Sequence, residues 1–375
     1  MGSRKETGFC LGLFAFVLAT RALTSGTVYF GDGPAHLAAI QNGTFVIQPP
    51  GYWLFNRVGG LFPDPARGLL VFNWLCSGVG AVAFYLVCRR LTDGRTAKLG
   101  ALLYSSIFFA WFSGNIHSTY ASQLCFPVLM LLFMMRYEEH PRKLLVAAIA
   151  ICFALCAGFR PSDGVFLAPA LLYWVFRTLS FRQTMFCLGT AFVACLLWFV
   201  PNSIALHRYA GESHSSQLEK VATGAVVFGR INEYTASNGL RYFLPLTLSL
   251  GLLLPFIVSA RGKAAPLLWV WVTPASLFFL LVYISDAPYL NCILPALVLL
   301  ALMGVEQKLR PFLRPALIVA MIVVNLSFYL FFRPLPSELQ PRLAVLLVNK
   351  DLGMYTRYAV KNRVMIRISN GYRER

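Results

Sequence analysis

Uncharged apolar runs alternate with short polar segments along nearly the whole chain. Stretches free of Asp, Glu, Lys and Arg occur at about 69–88, 99–113, 121–135, 144–158, 164–176, 185–200, 242–258, 266–284, 289–305 and 315–332. A further run at about 9–30 is interrupted only by Arg21. About 20 apolar residues suffice to span a bilayer as an α-helix. The pattern therefore predicts an all-α polytopic membrane protein with about 11 transmembrane helices. Several runs fall short of ~17 residues and need tilt or local thinning, and the pair over 144–176 is also compatible with a re-entrant hairpin. The first run follows Arg4 and Lys5 as a signal peptide would, but it continues to Phe30 without a small-x-small cleavage site. It reads as an uncleaved first span.

Three polar segments are longer than the rest: 31–68, 202–241 and the tail 333–375. The first holds two short amphipathic stretches, Ala38–Ile40 and Tyr52–Phe55, suited to lying on a membrane surface. The division expected is a membrane module over 1–332 followed by a basic tail, which an odd span count places outside.

Composition agrees: 58% of residues are hydrophobic and 13% charged, against about 25% charged in soluble domains. The formal charge of +18 would suit nucleic acid, but its distribution makes it a topology signal. With the N-terminus in the cytoplasm, the inner loops hold 16 Lys/Arg in about 50 residues, and the outer loops, Arg21 included, hold 8 in about 95. That asymmetry follows the positive-inside rule.

Ten of the fifteen acids fall on the outer side and none at mid-span. Ion-coupled transporters hold substrate near the bilayer midplane with ionisable groups, whereas acids gathered at one interface suit an enzyme acting on a lipid-borne substrate there. Asp32, in Gly31-Asp32-Gly33-Pro34-Ala35-His36, is the most singular of them. It either caps a helix starting at Pro34 or serves as a general base, with His36 four residues on along the same face. Arg57, Arg160, Arg208 and Arg230 are candidate phosphate ligands, since guanidinium binds phosphate oxygens in a fork. Arg160 stands out because it lies in a short turn between apolar runs. Tyr289 and Trp53 suit interfacial anchoring. His36, His117, His207 and His214 show no metal-ligand spacing and read as solvated loop residues. Cys152 and Cys156 share a helical face without a nearby His or acid and read as small core residues. No metal or cofactor site is inferred.

Three short motifs carry a resemblance: the first outer loop, with its acid in a small-residue turn and Gln48-Pro49-Pro50-Gly51-Tyr52-Trp53 leading to the second span; Gly158-Phe159-Arg160-Pro161; and Ala287-Pro288-Tyr289-Leu290-Asn291-Cys292-Ile293-Leu294-Pro295. The layout over about 10–305 resembles the GT-C superfamily of polyprenyl-phosphate-sugar glycosyltransferases, which includes the protein O-mannosyltransferases and lipid A aminoarabinose transferases. Many relatives have Asp-Glu where this chain has Asp32-Gly33, and some carry a second acid in the next outer loop, where Gly114–Tyr120 has none. The resemblance implies a GT-C-type bundle and inverting sugar transfer. The donor would be a polyprenyl-phosphate-linked sugar, the acceptor a glycan, lipid or protein on the outer or lumenal side. Asp32 would be the base, with His36, the four arginines and Tyr289 as substrate contacts. The alternatives are a multi-pass transporter or lipid flippase, a glycan polymerase or ligase using a diphosphate-linked donor, and a silent assembly subunit.

Overall fold

The computed structural model describes residues 4–25, 32–47, 50–209, 231–282 and 287–331. Every regular element among them is helical: α1 (Arg4–Thr24), α2 (Gly33–Gln41), α3 (Trp53–Gly59), α4 (Pro65–Leu91), α5 (Gly94–Ser106), α6 (Phe108–Ser113), α7 (Phe126–Glu139), α8 (Lys143–Phe159), α9 (Pro161–Thr178), α10 (Phe181–Tyr209), α11 (Ile231–Leu250), α12 (Leu254–Ile257), α13 (Ala265–Leu281), α14 (Leu294–Lys308) and α15 (Leu313–Phe331). Tight 3₁₀ turns occupy Thr119–Leu124, Gly251–Leu253 and Ala287–Cys292. The basic tail and Arg230 lie outside the described residues.

Among the described residues each apolar run coincides with a helix, with a helix and an adjoining 3₁₀ turn or, over 99–113, with two helices divided at Ile107. Five segments among the described residues are long and apolar enough to cross a membrane: Arg4–Thr24, Pro65–Leu91, Thr119–Glu139, Phe181–Arg208 and Asn238–Ile257. Over 144–176 the chain forms two helices, α8 of 17 residues and α9 of 18, each about 26 Å long at 1.5 Å per residue. The expected second outer loop is shorter than 202–241, because α10 continues to Tyr209 and α11 begins at Ile231.

Local chemistry sets the boundaries. Asp64 caps α4 by accepting from the Ala66 and Arg67 amides at 3.0 and 3.2 Å, and Asp93 does the same for α5 at 2.8 and 3.0 Å. The run 99–113 breaks at Ile107, whose extended backbone divides α5 from α6. The amide freed at Phe108 donates to Asn325 Oδ1 at 3.3 Å. Arg21, read from the sequence as an outer-side charge, is buried inside the bundle. It donates to the Ser105 carbonyl at 2.6 Å, at the C-terminus of α5, where the helix dipole is negative, and it stacks on Trp111 at 4.4 Å.

At one end of the bundle the acids are consumed in holding loops together. Glu6 pairs with Arg89, Glu139 with Arg90, Glu138 with Lys263, and Asp93 and Glu306 with Arg314. Asp32, Asp64 and Asp163 belong to the other end, and Asp64 is spent on its cap.

Close backbone approach fixes the turn at Thr119–Leu124. A Cβ on Gly80 would collide with the Leu124 carbonyl oxygen, the same oxygen that accepts from the Tyr104 hydroxyl at 2.8 Å. Gly80→Val is therefore expected to lower stability by about 1–3 kcal/mol, read as a drop in Tm in detergent, and to shift the turn that carries Thr119, Tyr120 and Gln123.

Candidate functional site

The site begins where α8 gives way to α9. A residue preceding proline is driven from helical to extended backbone, and Arg160, before Pro161, adopts φ −147° and ψ 99°. The break lets its side chain leave the helix axis and turn inward, where it is only 4% exposed. Two rings enclose the guanidinium, with centres 4.7 Å (Tyr120) and 4.4 Å (Tyr289) from Cζ. The negative faces of the rings offset part of the cost of burying the charge. Nη1 donates to Thr119 Oγ1 at 3.4 Å, and Nε lies 3.8 Å from Asp163 Oδ1. Asp163, in the first turn of α9, is 1% exposed and accepts from Gln123 Nε2 at 2.8 Å.

Both tyrosines sit on anchored 3₁₀ turns. Asn73 Nδ2 donates to the carbonyls of Ile116 and Ser118 at 2.7 and 3.0 Å ahead of the first turn. The second is held by Asn291 Nδ2 on Ser113 Oγ at 2.7 Å and by Trp271 Nε1 on the Cys292 carbonyl at 2.7 Å. Tyr289 thus lies beside a buried cation in the bundle, a different setting from the interfacial anchoring its sequence suggests.

The first outer loop folds over this cluster. Tyr52, the residue before α3, has φ +61°, a conformation that disfavours a bulky side chain. Gly51 precedes it at φ +110°, where a Cβ would collide with Asn202. Asn202 on α10 accepts from the Trp53 amide at 3.1 Å and donates to the Pro50 carbonyl at 2.8 Å, which holds the turn in place. The Tyr52 phenol is buried and lies within electrostatic reach of Arg160, Tyr289, Asp32 and Asp163. Burial pushes its pKa up, and Arg160 opposes that rise. In the sequence Tyr52 belongs to an amphipathic stretch and Tyr120 to an acid-free loop; the structure brings both to the surroundings of Arg160.

Asp32 precedes α2 as expected, but its side chain makes no capping hydrogen bond. Only its backbone carbonyl joins the helix, accepting from the His36 amide at 2.8 Å. The carboxylate is half-buried and is not committed to helix capping. His36 and His117 are buried, at 1% and 3% exposure, which corrects their reading as solvated loop residues. Asn56 Nδ2 donates to the Phe45 carbonyl at 2.9 Å, so its Oδ1 faces His36 Nδ1, 2.7 Å away, as an acceptor. His36 therefore carries its proton on Nδ1 and ties α2 to α3. Burial, opposed by the Asn56 bond and reinforced by His117 and Arg160, pulls the imidazole down to about 4.

That shift has a measurable consequence. The unfolded imidazole takes its proton near pH 6.5, the folded one only near 4, so the unfolded state binds the proton first as pH falls. The contribution is complete above about pH 6.5 and is lost progressively towards pH 4, to the extent of about 3 kcal/mol. Tm in detergent is expected to fall across this window, and His36→Gln to flatten that part of the profile.

The remaining candidate cations group elsewhere. Arg57 is exposed and stacks on Phe45 at 4.5 Å and Trp53 at 5.6 Å. Arg208, at the end of α10, lines a cavity of about 670 Å³ with Thr44, Phe45, Trp53 and Pro201. These two arginines share the aromatic pair Phe45 and Trp53, apart from the tyrosine pair that holds Arg160.

An apolar groove of about 770 Å³ runs between α8 and α10, lined by Leu155, Phe186, Val193, Leu197 and Trp198 and by Leu54 of α3. Gly158 packs against two of its lining residues. A Cβ there would come within 2.7 Å of Leu54 and 2.8 Å of Trp198, and Arg160 follows two residues later.

Residues 48–204 match the family model described as dolichyl-phosphate-mannose-protein mannosyltransferase. No curated protein matches the chain. The crystal structure of ArnT from Cupriavidus metallidurans bound to undecaprenyl phosphate is similar, with a TM-score of 0.62 and 16% identity over 97% of this chain and 76% of that one. Its apo form gives 0.59 and 17%, over 96% and 75%. The chain thus has the polytopic GT-C fold that its sequence resembles.

Proposed function

We propose that this protein is an integral-membrane glycosyltransferase that moves a sugar from a polyprenyl-phosphate donor to a hydroxyl acceptor at the Asp32 end of the bundle. The observation that carries this reading is a buried guanidinium, Arg160, held between two tyrosines, two residues along the chain from Gly158, which packs against Leu54 and Trp198 of an apolar groove. A lipid-linked phosphate needs that combination, a preorganised cation for the head and an apolar channel for the prenyl chain. The family model over 48–204 and the likeness to a protein crystallised with undecaprenyl phosphate support the same donor class.

In this mechanism Asp32 takes the proton of the acceptor hydroxyl. The oxygen attacks the anomeric carbon from the face opposite the phosphate, the bond from that carbon to the phosphate oxygen breaks, and the leaving oxygen keeps the electron pair. Arg160 meets the charge that develops there. One carboxylate suffices for such an inverting displacement, because no glycosyl-enzyme ester forms. Asp163 is a positioning residue for Arg160, and Tyr52 lies within electrostatic reach of both Arg160 and Asp32. Arg57 and Arg208, beside Phe45 and Trp53, suit the acceptor side better than the donor phosphate. The charge asymmetry of the loops supports placing this end outside or in the lumen and the N-terminus in the cytoplasm.

Proteoliposomes carrying a radiolabelled sugar on polyprenyl monophosphate, supplied with a mixed pool of glycan and lipid acceptors, test the reading. Label is expected to move to an acceptor with inverted anomeric configuration. Transfer only from diphosphate-linked oligosaccharide would replace it with the polymerase or ligase reading. Movement of intact donor between leaflets without transfer would replace it with the flippase reading.

A further inference from the structure

At the end of the bundle opposite Asp32, a second cavity of about 730 Å³ lies among the ends of α7, α9 and α14 and the start of α13. One wall is apolar, built from Leu131, Met134, Met135, Leu267 and Met303, and the rim carries Arg90, Arg177, Arg261, Lys263 and Glu138. The nearby acids are already occupied. Glu138 accepts from Trp174 Nε1 at 3.2 Å and pairs with Lys263 at 3.2 Å, and Glu139 takes Arg90 at 2.8 Å.

Arg177 and Arg261 are left. Neither meets a carboxylate among the described residues: Arg177 donates to the Tyr173 hydroxyl, and Arg261 donates through Nη1 to the carbonyls of Val258 and Ala260 at 3.0 and 3.2 Å. Each guanidinium has five N–H donors, so both retain donors for a further acceptor. The backbone presenting Arg261 is fixed on both sides. Its amide donates to Gln307 Oε1 at 3.0 Å, its carbonyl accepts from Gln307 Nε2 at 2.7 Å, and Gly262 turns the chain at φ +122°. Loop cations that only set topology need neither a concave apolar wall nor a clamped turn; a molecule with an anionic head and an apolar body uses both.

We propose that this cavity binds an anionic phospholipid of the adjoining leaflet, with its phosphodiester shared by Arg177 and Arg261 and its acyl chains along the methionine and leucine wall. The proposal is independent of the sugar-transfer reading.

The test uses the full-length chain in nanodiscs containing phosphatidylcholine with a minor fraction of phosphatidylglycerol, and native mass spectrometry to read the lipid that stays bound. The wild type is expected to retain phosphatidylglycerol about tenfold over its share, a preference of about 1.4 kcal/mol, and to gain Tm from it. The double variant Arg177→Gln/Arg261→Gln is expected to lose the enrichment while keeping its Tm in pure phosphatidylcholine. Lys308→Gln/Arg310→Gln, two exposed basic residues at the same end outside the cavity, is expected to keep it. Equal loss in both variants would show diffuse surface attraction and overturn the site. So would undiminished enrichment in the first variant. A Tm gain from inorganic phosphate or glycerophosphoglycerol in detergent, equal to the gain from phosphatidylglycerol, would show an ion site without a lipid role and overturn it as well.

Discussion

Asp32→Asn is expected to abolish sugar transfer, lowering single-turnover rates by about 10²–10⁴-fold, the range of general-base catalysis, while donor lipid is retained as in the wild type. The asparagine keeps the shape of the side chain but replaces one acceptor oxygen by an N–H donor and removes the charge and the basicity. Because the Asp32 side chain makes no capping bond to α2, the usual structural cost of removing an N-cap, about 1 kcal/mol, does not arise. Loss of transfer with loss of stability would mean that the carboxylate supports the loop, and wild-type turnover would remove Asp32 from the reaction. A raised pH does not rescue the variant, since an amide has no proton-accepting form to recover.

Arg160 should behave differently, because its charge is both functional and structural. In the proposed reaction Arg160→Gln removes the cation assigned to the leaving phosphate, which is expected to cost about 10²–10³-fold in transfer. It also strands Asp163, which is 1% exposed and keeps its bond from Gln123. An uncompensated buried charge destabilises by about 3–5 kcal/mol, so the single variant should express poorly or melt early. Pairing it with Asp163→Asn removes the stranded charge. The double variant is expected to recover most of the Tm and none of the transfer, and a cycle over the four proteins separates the two effects. Arg160→Lys keeps the charge but loses the planar fork and the stacking between two rings, and should fall between the extremes in activity. Recovery of transfer in the double variant would show that Arg160 serves the fold alone.

Much of this was legible in the chain. The apolar runs located the helices, because backbone hydrogen bonds in lipid must be satisfied within the segment and length alone then fixes a span. Pro161 after Arg160 announced a break, and Gly31-Asp32-Gly33-Pro34 announced a helix start with an acid at its edge. Helix breaks inside apolar runs were not legible, since the Phe108 amide is satisfied by an asparagine more than two hundred residues away. The burial of His36 was not legible for a related reason: polarity predicts exposure only until a partner such as Asn56 satisfies the ring.

The sequence by itself determined that this is a multi-helix membrane protein, which acid stands at the first loop, and which arginine sits in a turn. Those are local properties of composition and spacing. Only the tertiary structure decided that Arg160 is held between Tyr120 and Tyr289, with Asp163 as its counterion and Tyr52 within electrostatic reach of it and of Asp32. It also separated Arg57 and Arg208 from that group. These relations join turns from four distant parts of the chain, and no periodicity records them. They arise because a buried guanidinium must gather its rings, hydroxyl and carboxylate from whichever helices the bundle brings alongside.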